Sequence, residues 1–71
     1  RDRLIAAVDN LEPELRATVI LADLEELPQR VVATMLSIHE GTEASRLFRA
    51  RRKLRAVLDA PARSVRGRRA G

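Results

Sequence analysis

Apolar side chains recur along this chain at intervals of three and four, the spacing of one helix face. Leu4, Ile5, Val8 and Leu11 open the series and predict a first helix over residues 2–9, closed by the turn chemistry of Asp9-Asn10. Glu12-Pro13 opens a second helix. Proline at the first helical position costs no hydrogen bond, and Glu12 and Glu14 suit the positive end of the dipole. Leu15, Val19 and Ala22 mark its inner face, widened by Ile20 and Leu24, and Glu25 and Glu26 oppose the dipole at its far end, so it is expected to stop near Leu24. Pro28 starts a third helix, with Val32, Met35 and Leu36 as its apolar face and Val31 at the margin; Met35 is expected in the core. Ser37-Ile38-His39 separates it from a fourth that runs to about Leu58 and is stopped by Pro61. Two starts compete for that fourth helix. Ser37 and Glu40 have the spacing of a capping box, or else His39 is the cap and the turn is longer. The pattern predicts an all-α domain of four helices over residues 1–60 with a carboxyl-terminal helix-turn-helix. Residues 61–71, with Val65 as their one large apolar side chain, are expected to form a disordered basic tail.

Composition narrows the chemistry. A chain of 71 residues makes one small domain, and one this short buries only about 60% of the surface its unfolded form exposes. There is no cysteine and one histidine, which leaves a metal centre almost without ligands and suits a reducing compartment, hence a cytoplasmic location. No apolar run approaches the length of a membrane helix, so no membrane insertion is expected. The chain opens on Arg1, the expectation being a piece of a larger protein. Its net charge of +4 conceals a division: residues 1–40 hold four arginines against eight acids, and residues 41–71 hold ten cations against Glu43 and Asp59. Such asymmetry points to a polyanionic partner for the second half.

The positive charge has a direction. Stepping about 100° per residue around the fourth helix puts Leu54, Leu58, Ala50 and Glu43 close to Leu47. Thr42, Ser45, Arg46, Arg49, Arg52 and Lys53 gather on the opposite side. A helix whose back packs on a core while its front carries cations and hydroxyls is suited to phosphate oxygens and base edges. A merely solvated helix more often interleaves Glu with Lys and Arg, yet no acid occurs from Ala44 through Leu58. Arg51 and Arg55 sit on the flank, within reach of acids on the first two helices. The third helix, the turn and this helix read together as a helix-turn-helix, with Ala33 as the small residue at the crossing and Ile38 as the apolar plug in the turn.

The stretch LEPELRATVILADLEELPQRVVATMLSIHEGTEASRLFRARRKLRAVL, residues 11–58, resembles region 4 of bacterial sigma factors, especially the extracytoplasmic-function group. The resemblance rests on LEPELR (11–16), LADLEEL (21–27), Val32-Ala33 with Leu36, and above all GTEASRLFRARRKLR (41–55). It implies a four-helix module that reads the upstream (−35) element of double-stranded promoter DNA through its last helix. It also implies docking on the beta-subunit flap of the RNA polymerase core and sequestration by an anti-sigma factor. By position, Thr42, Ser45, Arg46 and Arg49 would face DNA, His39 and Glu40 would stand at the start of the helix, and Arg52 and Lys53 would meet backbone phosphates. Against the family's common pattern, Ser37 stands for glycine, His39 for proline, Glu43 for valine and Ala44 for a long side chain.

No catalytic constellation emerges and no cofactor is implied. His39 lacks a partner nucleophile or acid–base pair and reads as a cap or a phosphate contact, and Glu25-Glu26 reads as exposed turn charge. Phe48 lies at the border of the core face, and one aromatic does not make a stacking platform for single strands. Glu43 points towards the core, where an unpartnered carboxylate is costly. It is therefore expected at the core margin with its carboxylate turned outward, near His39 or Arg46. The alternative to promoter reading is a sigma-like protein-interaction module, bound by an anti-sigma factor and weak in DNA reading. A third is the DNA-binding half of a two-component or quorum-type regulator, which fits SRLFRARRKLR (45–55) less well.

Overall fold

The computed structural model describes residues 2–60 and is all-α, as the apolar periodicity predicts. Its helices are α1 (Asp2–Asp9), α2 (Pro13–Val19), α3 (Gln29–Leu36) and α4 (Glu40–Asp59). The expected tail lies outside the described residues, as does the Pro61 stop.

The helix α4 is the element on which the others pack: α1, α2 and α3 all rest against it. The main core joins Ala7 and Val8 of α1, Leu11 of the connection, Leu15 and Val19 of α2, and Leu47, Ala50 and Leu54 of α4, with Leu58 packed at its edge. Two arginines tie the ends of this assembly. Arg3 donates to the carbonyls of Val57, Leu58 and Ala60, supplying partners to the open end of α4. Arg16 donates to the Asp9 carbonyl at 3.0 Å and closes the α1–α2 turn.

The helix α2 ends in a wider turn. Over Ile20–Leu24 the chain becomes π-helical, with the Glu25 N–H donating to the Ile20 carbonyl at 2.8 Å. Glu26 then takes a left-handed conformation, and the helix stops at Leu24 as the unfavourable acids predict. This turn carries Asp23, whose carboxylate receives Arg51 of α4.

The α3–α4 junction decides between the two expected starts. Ser37 is no N-cap; it ends α3 in the left-handed region at φ 58°. Its N–H reaches the Thr34 carbonyl, and the Ile38 N–H reaches back to Ala33 at 3.0 Å, which closes the last turn as a Schellman motif. His39 occupies the cap position of α4 in extended backbone, without a side-chain capping bond, and its carbonyl accepts the Glu43 N–H. The capping-box reading fails because α3 uses Ser37 for its own termination.

Met35 is also corrected: it is 56% exposed and not part of the core. The buried side of α3 is centred on Val32 and Ala33, with Leu36 half-buried. Met35 points about 100° from that centre, beyond the reach of an element covered on one side. Ala33, the small residue expected at the crossing, is buried.

The left-handed Ser37 yields a stability test. A β-carbon in this region costs about 1–2 kcal/mol, partly offset by the greater entropy glycine loses on folding. Ser37→Gly is expected to stabilise the domain by about 0.5–1 kcal/mol, read as a raised midpoint in chemical denaturation. A lowered midpoint would show that the Ser37 side chain makes a bond that compensates its backbone.

Candidate nucleic-acid interface

The outer arc of α4 forms because its inner stripe is buried. Glu43, Leu47, Ala50 and Leu54 face inward, so Thr42, Ser45, Arg49, Arg52 and Lys53 are exposed and Arg46 is half-buried at the edge. Phe48, 66% exposed, stands on the flank with Arg51, Arg52 and Arg55. His39 and Glu40 are exposed at the amino-terminal end, where Glu40 complements the helix dipole. The Glu40 carbonyl accepts from the Gln29 side chain of α3 at 3.3 Å. All eight residues anticipated as the DNA-facing set thus lie on α4 or at its cap.

Their charges are not equally available. Arg49 donates to the Ser45 hydroxyl at 3.0 Å, one turn away, which orients its guanidinium along the outer arc. Lys53 is held by Glu12 at 2.8 Å, so this cation leans back over the start of α2. Arg51 makes a two-pronged contact with Asp23, as expected for a flank residue near the acids of the second helix. The Asp23 carboxylate holds Arg51 still more firmly protonated. Among the described residues, Arg46, Arg49 and Arg52 carry no acidic partner, and neither does Arg55, which was expected to reach one.

Glu43 departs from expectation. It is 0% exposed, and its carboxyl group points inward; neither His39 nor Arg46 pairs with it. The Thr18 hydroxyl of α2, itself fully buried, donates to Oε2, while Oε1 has no partner among the described residues. The direction of the side chain explains this. Averaged over Leu47, Ala50, Leu54 and Leu58, the buried stripe is centred near Leu54, and Glu43 lies within about 20° of it. The side chain enters the α2–α4 seam before it can reach water. A buried acceptor without a partner costs about 1–3 kcal/mol, more where it carries charge, and the dipole at the first turn returns only roughly 0.3–1 kcal/mol, to the charged form alone.

Thr18, the buried partner of Glu43, is not singled out by the sequence. Its signal was a hydroxyl three residues after Leu15 and beside Val19, inside the apolar face of α2. Among the described residues there is no cluster of three or more His, Cys, Asp or Glu side chains placed to hold a metal ion. Among those same residues no helix is long and apolar enough to cross a membrane.

Comparison with known proteins agrees with the geometry. The family model described as sigma-70, region 4, matches residues 1–54. Over 55 residues the chain is 44% identical to the ECF RNA polymerase sigma factor SigE of Mycolicibacterium smegmatis, a stretch that covers 78% of this chain and 21% of that protein. The chain therefore spans about a fifth of the length of that relative. No solved structure matches.

The exposed Glu12–Lys53 pair gives a pH test. The Lys53 hydrogen bond, a backbone hydrogen bond and the Lys53 charge hold the Glu12 carboxyl below its ordinary value. A carboxyl lowered on folding contributes stability that is complete above its unfolded pKa and is lost as the pH falls through the folded one. Glu12→Gln is expected to flatten the acid limb of the stability profile slightly, measured by denaturant titration from neutral into the acid range. An unchanged limb would mean that the pair contributes nothing in solution.

Proposed function

Because this chain belongs to the sigma-70 region 4 family, we propose that it reads the −35 element of promoter DNA during transcription initiation, as the region 4 domain of an alternative sigma factor. The observation that carries this reading is the outer arc of α4, without an acid from Ala44 through Leu58 and set on a helix whose opposite side is the core. In a helix-turn-helix, α3 lies across the backbone and α4 enters the major groove. Thr42, Ser45, Arg46 and Arg49 meet base edges and nearby phosphates, with His39 and Glu40 at the leading end. Arg52 meets backbone phosphate, and Lys53 does so once it leaves Glu12. Promoter melting is left to other parts of the sigma factor, so this domain binds without initiating, in the bacterial cytoplasm.

The same reading places an RNA polymerase contact away from α4's outer arc. Leu4, Ile5, Val8, Ile20 and Leu24, together with Asp9, line a largely apolar groove of about 330 Å³ between α1 and the π-helical turn, which supports docking by an apolar segment such as the beta-subunit flap. Exposed Phe48 and Met35 favour the second reading, an interaction module held by an anti-sigma factor with weak DNA reading. The two readings separate in binding assays.

Arg46→Ala is expected to cost ~1–3 kcal/mol on the preferred duplex and to relax preference at one base pair. Arg52→Ala is expected to weaken all duplexes alike and to lower the salt slope by about one. Titrations of selected and scrambled duplexes at several salt concentrations check both. Insensitivity to both substitutions removes DNA reading and leaves the interaction module.

A further inference from the structure

We infer that the buried hydrogen bond between Thr18 and Glu43 fixes the rotation of α4 about its own axis, making Glu43 and Thr18 positioning residues for base readout; this rests on the promoter-reading proposal. The amino-terminal two turns of α4 carry Thr42, Ser45 and Arg46, yet only Glu43 and Leu47 are buried there. Leu47 makes apolar contact, which is non-directional and tolerates small rotations. The Thr18 bond is directional, sits in a seam closed to water, and joins α4 to α2 across 25 residues of sequence. The other side-chain tie from another helix to this end of α4, from Gln29 to the Glu40 carbonyl, is long and exposed.

Readout needs that constraint. A binding constellation must be held within roughly 10–20° of its productive geometry, and long side chains on a helix surface amplify any rotation of the backbone beneath them. Phosphate contacts tolerate such rotation because flexible arginines follow the charge; bidentate contacts to base edges do not. The pair is weakly justified as a source of stability, since one carboxyl oxygen is left unpartnered. Buried polar groups that cost stability and specify one register are a recognised arrangement in packed helices.

The experiment uses the 71-residue chain and two probes: a duplex carrying the sequence recovered by selection from random DNA, and a scrambled duplex of equal length. The combined substitution Thr18→Val with Glu43→Met removes the bond while keeping the volume of both side chains. It is expected to keep or raise the melting temperature and to preserve the scrambled-duplex affinity and the salt slope. Preference for the selected duplex should fall about tenfold. Glu43→Gln keeps an acceptor for the Thr18 hydroxyl and should keep the preference. Thr18→Val alone removes only the donor and should lose it, which provides an independent arm if the combined variant does not fold. Undiminished preference in either variant lacking the bond overturns the inference, as does an equal loss in Glu43→Gln. A wild-type domain with no preference overturns the promoter reading itself, a result distinguishable from failure of the positioning role alone.

Discussion

The inner stripe of α4 is the constraint on which this domain depends. Leu47, Ala50 and Leu54 bury in one cluster with α1 and α2, and α1, α2 and α3 each pack on this helix. In larger proteins a basic surface helix can be an addition to a finished core. Here it is the centre of the core, because a chain this short has too little apolar surface to build one elsewhere. The outward arc is a consequence: once the stripe is buried, Ser45, Arg49 and Arg52 have only solvent or a ligand to face.

That coupling organises the charges as well. The acids of the first half are not merely distant counterweights to the basic second half. Glu12 takes Lys53 and Asp23 takes Arg51, each on a border of α4. These exposed pairs contribute little to stability, but they subtract two cations from the field and leave Arg46, Arg49, Arg52 and Arg55 as the cations of α4 without an acidic partner among the described residues. The charge map of the folded domain is therefore narrower than the charge map of the sequence.

Periodicity made the helices and the facing of α4 legible, since burial of one stripe is a local property repeated every turn. It was less informative wherever the outcome depended on a partner far along the chain. Glu43 was correctly directed inward, but whether its carboxyl group would escape to water depended on the depth of the α2–α4 seam and on Thr18. Met35 failed for a related reason: α3 is covered on one narrow side, and a two-turn helix offers too few apolar positions to show where that side is centred. Ser37 fits two motifs, and sequence spacing alone does not weigh a capping box against a left-handed helix end. The Arg51 contact was legible because its direction coincided with the acids that flank and follow α2, Asp23 among them, whereas Arg55, on the same flank, meets no acid among the described residues.

Ser37, in the left-handed region, and Glu43, fully buried, are each costly to accommodate, and they act on different degrees of freedom of the same junction. The left-handed turn at Ser37, with the Ile38 and Ser37 N–H groups returned to α3, sets the angle at which α4 leaves α3. The angle alone does not place side chains in a groove, because a helix at a fixed crossing angle is still free to roll. Leu47 and Ala50 resist rolling only through shape, and Ala50 has little side chain with which to do so. A directional bond one turn nearer the amino end, at Glu43, acts where the candidate base contacts emerge. Its cost falls on stability and its benefit on orientation, which is why the two quantities are expected to separate when the bond is removed.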